Sequence, residues 1–410
     1  MSRGNFFAID MRTWGLVCDA GDLNQAIAYL VLAQGTGADN RSTSWSVESL
    51  KTYAGISFER GKSAIESLCA AGFLRHAETS TRFKPRYELL THVEIHLIMR
   101  ALARASKEAK LRKLTSWQRS VFDRVLSGEK PSGRQRAQRD ELEFLLRLGL
   151  IERSAGSFRI TPDPPDPPEP QAEPQLIFLP NELVTGTDRG EDSPVKRLRA
   201  AGDIWALRLL VDLYDSHNLR DDGGISPRVI RASYEREGIG AKGLCTIWSF
   251  DWQGLSASWS DGPLAPHRAR APGHDEANKL LWTSVSALQY QGLLGFVPHL
   301  WTADPTSDGS GAEIVHPYGL HDSVSLQIEI DVAAAAHATA EAMLPDFKVQ
   351  QGAYAHLAPI TRAMPNVQMV GIGRLLYRPK TKRTSQWFSE VNDLCARWIR
   401  RYDEIHRDAS

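Results

Sequence analysis

The stretch SFERGKSAIESLCAAGFL, residues 57–74, decides the fold because it joins a helical pattern to the start of a strand. Apolar residues such as Ile65 and Leu68 recur at helical spacing and predict an amphipathic helix. Gly72 then stands where a helix needs a left-handed final residue, which glycine adopts without steric cost. The next two residues are apolar and predict the first strand of a β-hairpin.

The same pattern, Leu, three residues, Gly and two apolar residues, occurs three times in the chain. The copies begin at Leu68, Leu145 and Leu288. Self-similarity of this kind indicates a repeated supersecondary unit. We therefore expect a helix that leads into a β-hairpin at three places in the chain.

The residues before the first copy predict two further helices. Asn24 is a suitable N-cap for a first helix, and Ser46 for a short second helix. Gly55 and Ile56 form a tight turn, and Ser57 precedes the third helix. Three helices followed by a hairpin resemble the winged helix-turn-helix family of DNA-binding proteins, as in plasmid and phage replication initiators and repressors. The resemblance implies an α+β, mainly helical, multi-domain fold with repeated winged helix-turn-helix units.

The other two copies are variations on this plan. The second is compressed and combines a helix over residues 116–126, a basic turn, a helix ending near residue 148 and a small hairpin. The third combines a long helix over residues 195–214 with a helix over residues 226–236, where Pro227 suits the first helical position. An insertion near 237–274 then precedes the Leu288 helix.

The domain boundaries follow from these units and from TPDPPDPPEPQAEP, residues 161–174, which reads as a stiff polyproline spacer. Near the C-terminus, SLQIEI alternates apolar and polar residues and predicts a strand. The expected domains are a first winged helix (1–92), a linking helix with a compact second winged helix (93–160), the proline-rich linker (161–175), a winged-helix-like domain (176–322) and a small α/β region (323–410).

Charge is segregated along the chain although the formal net charge is zero. Residues 1–160 carry a net charge of +8, residues 161–355 carry −13, and residues 356–410 carry +5. A basic N-terminal part suits phosphate, and an acidic middle suits protein contacts or self-association. The cysteines are scattered, and neither a signal peptide nor a membrane span is evident, so we expect a cytoplasmic, nucleoid-associated protein.

The third helix of a winged helix enters the major groove of DNA, so its outward polar side chains are candidate contacts. They are Ser57, Arg60, Lys62 and Ser63. Arg60 suits a guanine edge, whereas Lys62 and the hydroxyls suit phosphates. Two alternatives stay open at this point: the two cations are a solvated helix face, and Ser57 is only a cap.

Further cations extend the candidate DNA surface. Arg82, Lys84 and Arg86 alternate in the first hairpin and are expected on one side of a strand. The remaining candidates lie on the linking helix, in the turn of the second unit and near the C-terminus: Lys110, Arg112 and Lys113; Lys130, Arg134, Arg136 and Arg139; Lys380, Lys382 and Arg383. For the linking helix a solvated connector with ion pairs to Glu108 is an equal alternative. The C-terminal group lies in YRPKTKR, residues 377–383, which is typical of a basic hairpin tip and is either a further DNA contact or only a soluble turn.

The third copy has the opposite charge. Asp275 and Glu276 begin its helix, and Asp304, Asp308 and Glu313 lie in its hairpin, where all would repel phosphate. We expect this copy to contact protein, either a partner or a second copy of the chain. Trp248, Phe250 and Trp252 alternate and predict one face of a strand, buried in a sheet or exposed at an interface.

No motif predicts catalysis, a metal or a cofactor. A phosphate loop is absent, and His92 and His96 in HVEIH lack the pattern of a zinc protease. The predicted function is non-enzymatic binding of double-stranded DNA, which the resemblance connects with replication initiation, partition or transcription regulation of a plasmid or mobile element. The alternative is a winged-helix scaffold that binds proteins, such as a subunit associated with a chromosome-organising ATPase.

Overall fold

The computed structural model describes residues 5–37, 39–81, 83–128, 136–154, 157–162, 173–187, 190–258, 262–302, 313–322, 324–346, 348, 356–364 and 366–409. The fold is α+β, as the sequence predicts, with about 50% helix and 23% strand.

The N-terminal part contains the first unit, which we define as residues 23–90. Its small sheet has the strand order β2-β4-β3, and the second and third helices are joined by a short turn. The elements are β1 (Phe6–Asp10), α1 (Met11–Asp19), α2 (Leu23–Gln34), β2 (Ser42–Thr43), α3 (Val47–Ala54), α4 (Phe58–Ala70), β3 (Leu74–His76) and β4 (Tyr87–Leu89).

Helix α2 is buried on all sides. Every residue from Ala26 to Gln34 is buried, because the sequence AIAYLVLA places apolar side chains all round the helix. The N-cap is Asp22, whose carboxylate accepts a hydrogen bond from the Gln25 amide at 2.8 Å. The predicted cap, Asn24, is therefore wrong by two residues.

The second unit, residues 111–161, has a hydrophobic core of its own. Val121, Phe122 and Leu145 are buried there among other apolar residues of the same unit. It follows the long helix α5 (His92–Arg112) and consists of α6 (Ser116–Leu126), α7 (Arg136–Arg147), β5 (Ile151–Ser154) and β6 (Ser157–Ile160).

The C-terminal half is built around a six-stranded sheet with the order β13-β12-β15-β10-β11-β14, in which all neighbouring strands are antiparallel. Helices α14 and α15 pack together against this sheet. The elements are β7 (Leu176–Pro180), α8 (Glu182–Thr185), α9 (Pro194–Ala201), α10 (Ile204–Asp215), β8 (His217–Asn218), α11 (Leu219–Asp222), β9 (Gly224–Ile225), β10 (Ile230–Lys242), β11 (Cys245–Ala257), α12 (Ala265–Arg268), α13 (His274–Tyr290), β12 (Leu294–Trp301), β13 (Ile314–Pro317), α14 (Gln327–Met343), β14 (Leu357–Thr361), β15 (Gln368–Leu375) and α15 (Lys382–Ala409).

The first unit and the C-terminal half share one core. Strand β1 pairs with β7 antiparallel, with Ala8 opposite Phe178, so segments before and after the proline-rich stretch form one ribbon. Leu30 of α2, Leu198 of α9 and Leu210 of α10 belong to the same buried cluster. Residues 163–172 of the predicted spacer lie outside the described residues.

Three predicted elements in the C-terminal half are wrong. The residues from Ile230 onwards form the thirteen-residue strand β10 rather than a helix, because they pair with β11 apart from two irregularities in the register. Gly202, with φ of 74°, divides the predicted long helix into α9 and α10. SLQIEI begins α14, since Glu329 accepts a hydrogen bond from the Leu326 amide at 2.7 Å and alanines follow.

The three Leu-x3-Gly copies end their helices with the same hydrogen bond. The amide five residues after each leucine donates to the leucine carbonyl: Phe73 to Leu68, Leu150 to Leu145 and Leu293 to Leu288, at 2.9, 3.1 and 2.9 Å. The glycines have φ of 78°, 66° and 63°, and the three leucines are fully buried. The pattern thus specifies one type of helix end, with its leucine fixed in a core.

Gly72 also allows a close contact that Gly21 does not have. A Cβ at Gly72 would lie 2.6 Å from Ile98 of α5, whereas one at Gly21 would have no atom within 4 Å, and both residues have positive φ. We expect Gly21→Ala to cost about 1–2 kcal/mol from the left-handed backbone alone, and Gly72→Ala about 1–3 kcal/mol more from the overlap. Urea denaturation of both variants measures this difference; equal losses would contradict it.

Two histidines are buried in the C-terminal half, and one of them lies beside a buried ion pair. Arg374 and Glu329, whose side chains have no exposed area, are 2.6 Å apart, and Arg374 also lies beside His299. His316 is 2.7 Å from the hydroxyl of Tyr402. Burial lowers the pKa of His299 to about 3, aided by Arg374, and lowers the pKa of His316 to about 4.

This burial predicts a loss of stability in mild acid. Below a pH of about 6.5 the unfolded chain protonates both histidines and the folded chain does not, so stability falls by up to about 1.4 kcal/mol per pH unit for each. The melting temperature should therefore be highest above pH 6.5 and fall steadily to pH 4. His316→Gln should flatten this slope, and the exposed His321→Gln should leave it unchanged. A melting temperature that is flat from pH 7 to 4.5 would contradict the prediction.

Candidate nucleic-acid interface

The turn between α3 and α4 brings these two helices into close contact. Gly55 ends α3 with φ of 64°, and Ile56 of the turn is fully buried. A Cβ at Gly61 would lie 3.0 Å from Val47, so the absence of a side chain lets α4 pack tightly on α3. The outer side of α4 is left exposed as a result.

Hydrogen bonds from the C-terminal half fix the position of this turn. The Arg199 guanidinium donates to the Gly55 carbonyl at 3.0 Å, and the Ser193 hydroxyl donates to the Tyr53 carbonyl at 2.9 Å. Hydrogen bonds from a charged donor are among the stronger ones in proteins. Helix α9 therefore fixes where α4 begins.

The exposed face of α4 carries all four residues that the sequence predicts for it: Ser57, Arg60, Lys62 and Ser63. Ser57 is the N-cap residue, but its side chain makes no capping hydrogen bond. Lys62 lies 3.9 Å from Glu66, and Glu59 is exposed on the same helix. Within the described part of the chain, Arg60 has no ion-pair partner. The cations of this face are therefore balanced by carboxylates, and a net positive charge must come from elsewhere.

The loop between β3 and β4, residues 77–86, supplies that charge. Lys84 and Arg86 are exposed in this loop, which we call the wing loop. They do not alternate along a strand as predicted, because β4 begins only at Tyr87. Arg82 lies outside the described residues. Lys84 and Arg86 therefore lie two residues apart in a loop and not on one strand face.

Hydrogen bonds close the wing loop at two levels. At its base the Ala77 amide donates to the Arg86 carbonyl at 3.0 Å, and the Arg86 amide donates to the Ser80 hydroxyl at 3.0 Å. At its tip Thr81 and Lys84 exchange amide-to-carbonyl hydrogen bonds of 3.1 and 3.2 Å. These hydrogen bonds hold the two sides of the loop together.

A second set of arginines is structural. Arg41 and Arg75 both pair with Glu88, at 2.9 and 2.7 Å, and with Glu94, at 2.9 and 3.6 Å. Burial acts to raise the pKa of Glu94, but hydrogen bonds from Thr91 and from Arg41 lower it overall. This network fastens the sheet of the first unit to the start of α5.

The other predicted cations are spread over several places. Lys110 is half-buried near the end of α5, Arg112 pairs with Glu108 at 3.6 Å, and Lys113 is exposed. Lys380 pairs with Glu182 at 2.5 Å, and Lys382 and Arg383 begin α15, so residues 377–383 are not the hairpin tip that the sequence favours. Lys130 and Arg134 lie outside the described residues, as do the side chains of Arg136 and Arg139 in α7.

Two phenylalanines in the first unit are exposed and were not predicted as site residues. Phe83 at the tip of the wing loop is 90% exposed, and Phe58 in the first turn of α4 is 50% exposed. The signal for Phe83 was present in the sequence, as one apolar residue in a polar turn between two cations. A count of charges alone does not detect it.

The third copy presents a cleft lined with aromatic side chains. Asp275 and Glu276 are exposed at the start of α13, as predicted, and Glu313 is exposed, while Asp304 and Asp308 lie outside the described residues. A cleft of about 740 Å³ lies beside α13, and its lining includes Tyr234, Trp252, Trp282, Phe296 and His356. Phe250 is buried as predicted, whereas Trp252 is 61% exposed.

His92 and His96 lie on one side of α5 with their rings 4.4 Å apart. Within the described residues, no group of three His, Cys, Asp or Glu side chains is placed to hold a metal ion. None of the described helices combines the length and apolar character needed to span a membrane. The chain matches no family model, no curated protein and no solved structure.

Proposed function

We propose that the chain is a non-enzymatic protein that binds double-stranded DNA, and that residues 23–90 are a winged helix-turn-helix unit. The observation that carries this proposal is an exposed α4, set by a tight turn, next to an ordered loop that presents Lys84 and Arg86. This is the arrangement with which such units place one helix in the major groove and a wing along the backbone.

Within this proposal the two surfaces have different tasks. Arg60, without an ion-pair partner among the described residues, reads a guanine edge with its two-pronged guanidinium. Lys84 and Arg86, with Lys62, contact phosphates and set orientation. The second unit, with its separate core and the basic residues leading into α7, grips the neighbouring stretch of duplex.

The acidic C-terminal half serves assembly with a second copy or a protein partner. Exposed carboxylates at the start of α13 disfavour DNA, and the aromatic cleft offers apolar surface for a protein contact. Replication initiation, partition and transcription regulation of a plasmid or mobile element all need this combination of a DNA-binding part and an assembly part. A winged-helix scaffold that binds only proteins remains the competing function.

Removal of the wing-loop charges should weaken DNA binding in a salt-dependent way. If about four to six phosphates are neutralised, the log of the affinity falls with the log of the salt concentration with a slope of about −4 to −5. Lys84→Ala with Arg86→Ala should make that slope less negative by about 2 and weaken all sequences equally. Electrophoretic shifts of a fixed duplex across a salt series measure this.

The experiment requires the full chain, because α2 shares its core with the C-terminal half. Lys279→Ala is the matched control, since it removes an exposed cation from α13 and should leave the slope unchanged. A wild-type chain with no salt-sensitive affinity for duplex DNA would favour the scaffold function instead.

Substitution at the aromatic cleft should reduce assembly. Trp252→Ala removes a 61% exposed indole, and aromatic residues at the centre of an interface often cost more than 1 kcal/mol when truncated. We expect light scattering to show an oligomer for the full chain and a shift of about 5-fold or more towards monomer for Trp252→Ala. Leu244→Ala, at an 80% exposed residue in the β10–β11 turn, is the control. A wild-type chain that is strictly monomeric would leave assembly to a different protein.

A further inference from the structure

The wing loop exposes the apolar side chain of Phe83, which in this position adds nothing to the stability of the fold. Phe83 is 90% exposed, although burial of a phenylalanine side chain is worth about 1.5–3 kcal/mol. One exposed apolar residue needs no explanation by itself, but aromatic side chains and arginine are both enriched at binding surfaces, and this loop carries Phe83 together with Arg86.

The loop is built so that Phe83 is presented in a fixed way. Thr81 and Lys84, on either side of Phe83, exchange two amide-to-carbonyl hydrogen bonds, and the Thr81 hydroxyl also accepts from the Lys84 amide at 3.1 Å. The second pair of hydrogen bonds, at Arg86, fixes the base of the loop. Because the backbone on both sides of Phe83 is hydrogen-bonded, less backbone ordering is needed when it meets a ligand, which lowers the cost of binding.

The charges around Phe83 indicate the ligand. Lys84 and Arg86 are exposed on the same loop. A ligand that suits this loop has negative charges next to a site that accepts an aromatic ring. Duplex DNA has this chemistry in its minor groove, where phosphates flank stacked bases. Proteins that kink DNA insert a phenylalanine or another apolar wedge between base pairs at that place.

We propose that Phe83 acts as a wedge that enters the minor groove, partly unstacks one base step and bends the duplex away from the wing. The inference rests on the proposed function, and it goes further by assigning the protein a distortion of DNA in addition to binding. Pyrimidine–purine steps unstack most easily, so bending should be larger on duplexes rich in TA steps than on A-tracts.

The test uses the full chain and a duplex of about 30 base pairs with a fluorescent donor and acceptor at its ends. Wild type should increase energy transfer at saturation, more so for the TA-rich duplex. Phe83→Ala should abolish most of that increase and weaken affinity about 5-fold or more, as removal of a base-stacking aromatic does, without changing the salt slope. Phe83→Leu should keep much of the bend, because leucine is also an effective wedge.

Lys84→Ala is the matched control on the same turn. It should make the salt slope less negative by about 1 and leave the bend of the bound complex unchanged. Since Phe83 is almost fully exposed, Phe83→Ala should melt at the wild-type temperature, and a clear loss of stability would show that Phe83 packs in the fold and would overturn the proposal.

The outcomes distinguish failure of the proposed DNA binding from failure of the Phe83 wedge. If wild type binds no duplex, the proposed function fails. If wild type binds and Phe83→Ala bends DNA as strongly as wild type, only the wedge fails. Binding to vesicles of phosphatidylserine that depends on Phe83, with no change in energy transfer on DNA, would also overturn the wedge, because the tip would then recognise a lipid surface.

Discussion

The architecture depends on helix α2, which is apolar on every side and must be covered on every side. Helices α3 and α4 cover part of it, and α1, β1, α8 and α9 cover other parts. Each buried Leu, Ile or Val contributes about 1.5–3 kcal/mol relative to exposure, so a separate first unit would expose several such side chains. The shared core, the β1–β7 ribbon and the fixed position of the α3–α4 turn all follow from this requirement.

Local features were predictable from the sequence because their causes are local. Gly72, Gly149 and Gly292 end their helices in the left-handed region, and Ser46 and Gly55 bound α3, as the pattern predicts. The exposed side of α4 also follows from the spacing of its apolar residues. Tyr29 and Leu32 of α2 are buried as well, because that helix is apolar on every side.

Elements that pair with distant partners were harder to predict. Strand β10 is held by β11 and β15. The alternation of Ile230, Ala232 and Tyr234 with polar residues favours a strand, but the helix prediction from Pro227 overlooked this signal. The candidate site shows the same division. The spacing of apolar residues in α4 was enough to predict that Arg60 and Lys62 are exposed. The placement of Lys84, Arg86 and Phe83 in a loop was not predicted, because it depends on where β4 begins.

The two N-terminal units are attached to the rest of the chain by different means, and this difference bears on how they would use DNA. Arg199 and Ser193 tie the start of α4 to α9, so under the proposed function the first unit would meet a duplex in an orientation that the C-terminal half determines. The second unit has its own core and follows α5, so its stability does not depend on that contact. An assembly formed through the C-terminal half would therefore fix the spacing of first units along DNA directly, because no linker of variable length intervenes between α9 and the turn that positions α4.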